Sequence, residues 1–330
     1  MKKLFWILAV VMAASVAFIG VATWQYRQAL ERPLAVPVAQ TYRIDSGVSA
    51  YQLIKAMQGA GWLQQRWPYK VLLKLQPKLS HIKAGCYALT PTTTAQQLLT
   101  DAAAGKEQAF LTTLVEGERF SQWRAHLANQ PELKAGELDQ AAVAKALGVD
   151  NVEGWLLPDS YQYRCGDTAL SIFEHAHKAM LSYLDSAWQN RADGLPYSDP
   201  YQALIMASIV EKETAVPAER PLIASVFINR LRQGMRLQTD PTVIYGLGES
   251  FDGNITRADL KKPTPYNTYV IKGLPPTPIA MPSRAAIDAV LHPDQADYLY
   301  FVAKGDGSHV FSKTLRDHNN AVNRYQRGHK

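Results

Sequence analysis

The chain has 330 residues, 47% of them hydrophobic, and a net charge of +6. That is length for two domains and enough apolar material for a sizeable core, which excludes wholesale disorder. The basic excess is mild and dispersed, with no dense Lys/Arg cluster, aromatic-rich nucleic-acid motif or zinc-finger spacing; it suits an anionic membrane surface or an acidic polymer and argues against nucleic acid as a partner.

Lys2 and Lys3 precede an apolar run from Leu4 to Trp24 that carries no charge. About 20 apolar residues span a bilayer as a helix, whereas a cleaved signal peptide has a shorter apolar core. Ser15-Val16-Ala17 has the small residues of a cleavage site, yet the run continues through Phe18, Ile19 and Val21. An uncleaved, single-pass transmembrane anchor over residues 1–24 is therefore expected. Lys2 and Lys3 favour a cytoplasmic N-terminus, against which Arg27 and Arg32 weigh, and the bulk of the chain then lies in the periplasm, outside the inner membrane. Residues 25–40, interrupted by Pro33 and Pro37, read as a linker.

A first small module is expected over residues 41–106. Residues 41–45 alternate like a strand, and Leu53, Ile54 and Met57 give 50–59 a helical spacing. A second helix fits 68–75, a glycine turn enters a strand over 81–89, and a threonine-capped helix fits 92–104. This strand–helix–helix–strand order resembles a LysM-like module, which implies a fold that holds N-acetylglucosamine polymers; an α+β spacer without a ligand is the alternative. Cys86 and Cys165 form no C-x-x-C pair. Export would allow them to bond, and their separation in sequence leaves that open.

A larger α+β catalytic domain is expected over 107–330, so the fold class as a whole is α+β. A strand fits 110–115, a helix 121–130, a turn 152–161 and a long helix 169–189. From Gly234 the composition turns to Gly, Pro, Thr and Tyr, which suggests ordered loops. Strands at 298–303 and 309–314 flank a glycine-containing loop as a hairpin, and a last helix fits 315–326.

The most informative stretch follows Ser198. Asp199 is an N-cap, Pro200 suits the first helical position and Pro217 stops the helix, which therefore covers about 200–215. Met206, Ile209, Val210 and Glu213 stand at i, i+3, i+4 and i+7, so a carboxylic acid completes an aliphatic face. Glu211, two residues away, points elsewhere. Desolvation, the C-terminal end of the helix dipole and the nearby Glu211 would all raise the pKa of Glu213, with Lys212 and Arg220 opposing. A glutamate raised toward neutral pH is what a general acid needs. A following helix from Pro221, with Ile223, Val226, Phe227 and Leu231 on its apolar face, would hold it rigidly. A buried glutamate satisfied by a basic partner is the competing reading.

Downstream, Gln238, Thr239, Asp240, Thr242 and Tyr245, then Tyr266 and Asn267, supply the amides, hydroxyls and aromatic faces that suit a sugar polymer. The same residue types also satisfy one another in loops. There is no G-x-S-x-G elbow and no H-E-x-x-H. His175 and His177 are two apart on a helix and face different ways, so no metal site is expected, and no cofactor motif is present.

These stretches together resemble a known family. The segment Ala207 to Thr214, then Val226 to Leu231, Met235 to Gly246, Tyr266 to Tyr269 and Gly273 to Pro276 are similar to the endolytic murein transglycosylases, the MltG or YceG-like family, and Glu116-Gly117 and Glu153 to Asp159 resemble its upstream signatures. The resemblance implies a lytic transglycosylase that cleaves the MurNAc–GlcNAc β-1,4 bond of nascent glycan strands, forms a 1,6-anhydro end and terminates elongation. It implies Glu213 as the acid/base, followed by Thr214 where lytic transglycosylases often have Ser, and peptidoglycan synthases (penicillin-binding proteins) as neighbours at the inner membrane. A hydrolase using Asp240 to activate water, and a non-catalytic glycan-binding scaffold, are the rivals.

Overall fold

A computed structural model describes residues 2–130, 132–134, 136 and 139–327. The chain divides into two compact units, Met1–Phe110 with Tyr163–Gly166, and Leu111–Gln162 with Asp167–Lys330.

The first unit contains α1 (Lys2–Glu31), β1 (Gln40–Ile44), α2 (Ala50–Gly59), α3 (Trp67–Leu75), β2 (Gly85–Leu89) and α4 (Ala95–Ala104). α1 is long and apolar enough to cross a membrane. It does not stop at Trp24: residues 25–31 are good helix formers, so the helix continues through the first part of the expected linker until Pro33 forbids it. Leu30, Leu34 and Val36 are buried in this unit's core with Leu53, Ile54, Met57, Leu72 and Leu98. β1 and β2 pair antiparallel, Tyr42 opposite Tyr87. Ser49 and Gln52 close a capping box at the start of α2. Cys86 on β2 is disulfide-bonded to Cys165 on the returning segment, with Cα atoms 5.5 Å apart.

The strands β3 (Ala109–Leu114) and β4 (Asp159–Arg164) form a two-stranded ribbon. Between them lie α5 (Phe120–Ala128) and α6 (Gln140–Leu147). The second unit continues with α7 (Ala169–Gln189), α8 (Pro200–Glu213), α9 (Arg220–Arg232), α10 (Asp240–Leu247), α11 (Arg284–Leu291), the antiparallel hairpin β5 (Tyr300–Ala303) and β6 (His309–Ser312), and α12 (Leu315–Val322).

α8 is the centre of this unit. Asp199 caps it through the amide of Gln202, as its sequence predicts. Every residue from Ala203 to Val210 is buried, enclosed by α7, α9, α10 and α11. The aliphatic face is thus part of an apolar surround rather than a stripe. Each large side chain here contributes on the order of 2 kcal/mol by leaving water.

Four elements of the second unit depart from the sequence expectation. α10 and α11 lie where Gly, Pro and Thr suggested loops. Pro241 in the first turn of α10 suits a helix start, and Ser283 caps α11 through the amide of Ala286. The expected turn at 152–161 runs into β4. α8 ends at Glu213 because Thr214 adopts an extended backbone.

Candidate active site

Glu213 is the last residue of α8 and reaches a cavity of about 540 Å³ in the second unit. The floor of that cavity is the segment between α9 and α10. Leu237 is buried and anchors it, while Gln238, Thr239 and Asp240 line it beside Glu213. Gln238 has φ 54°, the left-handed conformation that residues other than glycine rarely adopt. Its amide donates to the carbonyl of Thr268 at 3.2 Å, and the amide of Thr239 donates to the Thr268 hydroxyl at 3.0 Å. These bonds hold the strained segment in place.

The Thr239 hydroxyl donates to Oε1 of Glu213. Arg230, buried on α9, braces the same segment: Nη1 donates to the Leu237 carbonyl at 2.8 Å, and Nε to the Leu299 carbonyl at 2.7 Å. Its guanidinium also lies over the Tyr300 ring, 5.1 Å from the centroid. Asp240 begins α10 and accepts a 2.6 Å hydrogen bond from the Tyr269 hydroxyl.

The Glu213 side chain is enclosed by protein yet open to the cavity. Burial is the main cause that pushes its pKa up to about 7; the Thr239 hydroxyl pulls it down, the Asp240 carboxylate raises it and the Arg230 guanidinium lowers it. The direction matches the sequence expectation, but the neighbours differ. Arg220 pairs with Glu211 at 3.1 Å, and the Ser283 amide donates to the other oxygen of Glu211 at 2.9 Å. Lys212 donates to the Gly117 carbonyl at 2.9 Å. The two glutamates are therefore different objects: Glu211 is a structural carboxylate satisfied by Arg220 and by both the amide and the hydroxyl of Ser283, while Glu213 faces open space.

The remaining sequence candidates fall at different depths. Gln238 and Asp240 share the cavity with Glu213. Thr242 is fully buried and bonds to the Thr239 carbonyl and the Thr268 hydroxyl. Asn267 is buried as well, donating to the carbonyls of Asp259 and Lys262 and accepting from the Tyr269 amide. These two side chains shape the segment carrying the site rather than line the cavity. Tyr245 and Tyr266 pack against each other at 4.9 Å, with their hydroxyls directed to Glu153 and Thr277.

Sequence reasoning named Thr239 only among the polar residues of its loop, and gave no site role to Arg230, Tyr269 or the Tyr300 and His318 rings, which stack at 5.2 Å on the cavity wall. It named Glu153 only within the upstream signature and gave it no role of its own. That carboxylate is buried, accepts the Phe120 amide at 3.1 Å and the Tyr245 hydroxyl at 3.3 Å, and has its pKa pushed up to about 7, chiefly by desolvation. The chain is pressed against its neighbours here: a Cβ at Gly154 would lie 2.4 Å from Pro278.

A single carboxyl titrating near neutrality, at the edge of a cavity walled by hydroxyl, amide and aromatic groups, can donate a proton to a leaving oxygen and then accept one. Among the described residues no group of His, Cys, Asp and Glu is arranged to hold a metal ion.

The YceG-like family model matches residues 42–324. An endolytic murein transglycosylase of Bacillus subtilis (strain 168) is 37% identical over 251 residues, 69% of this chain and 68% of that protein. The endolytic murein transglycosylase of Streptococcus pneumoniae (strain D39) is 33% identical over 178 residues, 52% of this chain and 32% of that protein. A 2.6 Å crystal structure of a Listeria monocytogenes protein described as yceG-like superposes with a TM-score of 0.54 at 31% identity, covering 86% of this chain and 98% of that one.

Proposed function

This chain belongs to the YceG-like family, and from that premise we propose that it is an endolytic murein transglycosylase, a lyase of peptidoglycan with Glu213 as its acid/base. The observation that carries the reading is the placing of Glu213, buried enough to push its pKa up to about 7 while its carboxyl remains open to the cavity.

The chemistry follows from one group acting twice. Protonated Glu213 gives its proton to the oxygen between N-acetylmuramic acid and N-acetylglucosamine, and that bond breaks. The muramyl C6 hydroxyl bonds to C1, and its proton passes to the Glu213 carboxylate. The acid is restored, a 1,6-anhydro end forms and no water is consumed. Glycoside hydrolases commonly need two carboxylates because water is their nucleophile; here the substrate supplies its own. Thr239 orients Glu213, and Gln238 and Asp240 contact the sugar. Tyr266, Tyr245, Thr242 and Asn267 act through the shape of the segment.

The cut lies within nascent strands and terminates their elongation beside peptidoglycan synthases of the penicillin-binding class. α1 anchors the chain in the inner membrane with its N-terminus cytoplasmic and both units in the periplasm. The Cys86–Cys165 bond supports that side, because disulfides persist in oxidising compartments. The strand–helix–helix–strand part of the first unit is a LysM-like module that holds glycan.

The test is a digest of purified glycan strands by the native protein and by Glu213→Gln, with the ends resolved by mass. Anhydro-muramyl ends that vanish in the variant are expected. Reducing ends would instead make the protein a hydrolase, with Asp240 the candidate base. Equal products from both proteins would remove Glu213 from the chemistry.

A further inference from the structure

The proposed activity leaves one surface of the first unit unused. α3 buries Pro68, Tyr69, Leu72 and Leu73 in the core. Its outer side carries two adjacent rows at helical spacing. One is apolar: Trp67, Val71 and Leu75, exposed by 39%, 38% and 68%. The other is basic: Lys70 and Lys74, continued by Lys78 just beyond the helix. The charge here is one-sided over a long stretch. From Ser46 to Thr100 the sequence has no Asp or Glu, yet holds Lys55, Arg66, Lys70, Lys74, Lys78 and Lys83.

The location of α3 is as informative as its composition. The Tyr69 hydroxyl donates to the carbonyl of Ala29 on α1 at 2.7 Å. Ala29 is five residues past Trp24, the end of the apolar run, or about 7.5 Å along the helix. Trp24 itself lines a cavity of about 230 Å³ together with Trp62, Gln65 and Tyr69. The start of α3 therefore lies within about 7.5 Å, measured along α1, of the end of the apolar segment, and Leu30, buried in the unit's core, fixes that relation.

We propose that the outer face of α3 is a membrane-docking surface that rests on the anionic headgroups of the leaflet from which α1 emerges; this inference rests on α1 spanning the bilayer. A helix lying in the headgroup plane needs an apolar row to enter the acyl boundary and basic residues to meet lipid phosphates. α3 has both. Trp67 supplies the aromatic group that favours the interface, and the lysines extend their stems along the apolar row while their ammonium groups reach phosphate. The first unit then has two attachments, one through the bilayer and one along its surface.

The full chain is reconstituted into phosphatidylcholine vesicles with or without phosphatidylglycerol, and fluorescence is read with acyl-brominated lipids and with aqueous acrylamide. Subtracting Trp67→Phe and Trp24→Phe spectra isolates each indole. Trp67 is expected to be quenched by bromolipid several-fold more with phosphatidylglycerol than without. The double variant Lys70→Glu/Lys74→Glu, at exposed positions, is expected to abolish that quenching and leave Trp24 quenched. Trp24 quenched while Trp67 answers only to acrylamide would overturn the docking and leave the anchor standing. Neither indole quenched by bromolipid would overturn both.

Discussion

The Thr239 hydroxyl is a sharp handle on the chemistry, because it donates to Glu213 from a segment outside the helix that carries that residue. Thr239→Val removes that donor and keeps the backbone bond to Thr268. A hydrogen bond to a charged group contributes about 1.5 kcal/mol at the lower end, and 1.36 kcal/mol corresponds to one pH unit. The donor favours the anion, so its loss raises the pKa of Glu213 from about 7 by roughly one unit. Because catalysis needs the protonated acid, activity is lost as pH rises through that value, and the alkaline limb of the profile moves up by about one pH unit. Asp240→Asn removes a like charge and moves the same limb to lower pH. The assay is the rate of anhydro-end formation by the full chain in detergent across the pH range. An unmoved limb in Thr239→Val, or shifts of the same sign in both variants, would refute the assignment of Glu213 as the acid.

Glu211→Gln tests the structural glutamate. It leaves Arg220 buried without its counter-charge, where Nε already lacks a partner, and should cost about 3 kcal/mol, read as a lower thermal midpoint. Glu153→Gln tests the other buried acid. A carboxyl at 4.5 unfolded and about 7 folded keeps its proton longer in the native state, so stability falls as pH rises between those values, by on the order of 3 kcal/mol, and is level above. The variant should flatten that decline in denaturant midpoint against pH.

The sequence made α8 legible because its punctuation is local: Asp199, Pro200 and Pro217 bracket it without reference to the rest of the chain. Glu213 was legible through its aliphatic neighbours, although the helix proves buried on all sides, so face periodicity was the wrong reason for a correct direction. The partners of the two glutamates were not legible. Whether Arg220 or Arg230 reaches Glu213 depends on how α9 packs, and Arg220, nearer in sequence, is drawn instead to Glu211. α10 stayed hidden because Pro241 and Gly246 look like breakers, although proline in a first turn breaks nothing. Glu153 stayed hidden because only the tertiary approach of Tyr245 and the start of α5 reveals its burial.

The first unit is assembled from two separated pieces of chain, the later one carrying Cys165, 79 residues after Cys86. During synthesis its first 110 residues must wait for the return segment before the covalent closure can form. The wait carries little risk of error, since the chain holds only two cysteines and one possible bond. It does restrict inheritance. A duplication or fusion that copied residues 41–106 alone would deliver an unpaired thiol and leave the closing strand behind, so this unit cannot travel between proteins as a contiguous cassette.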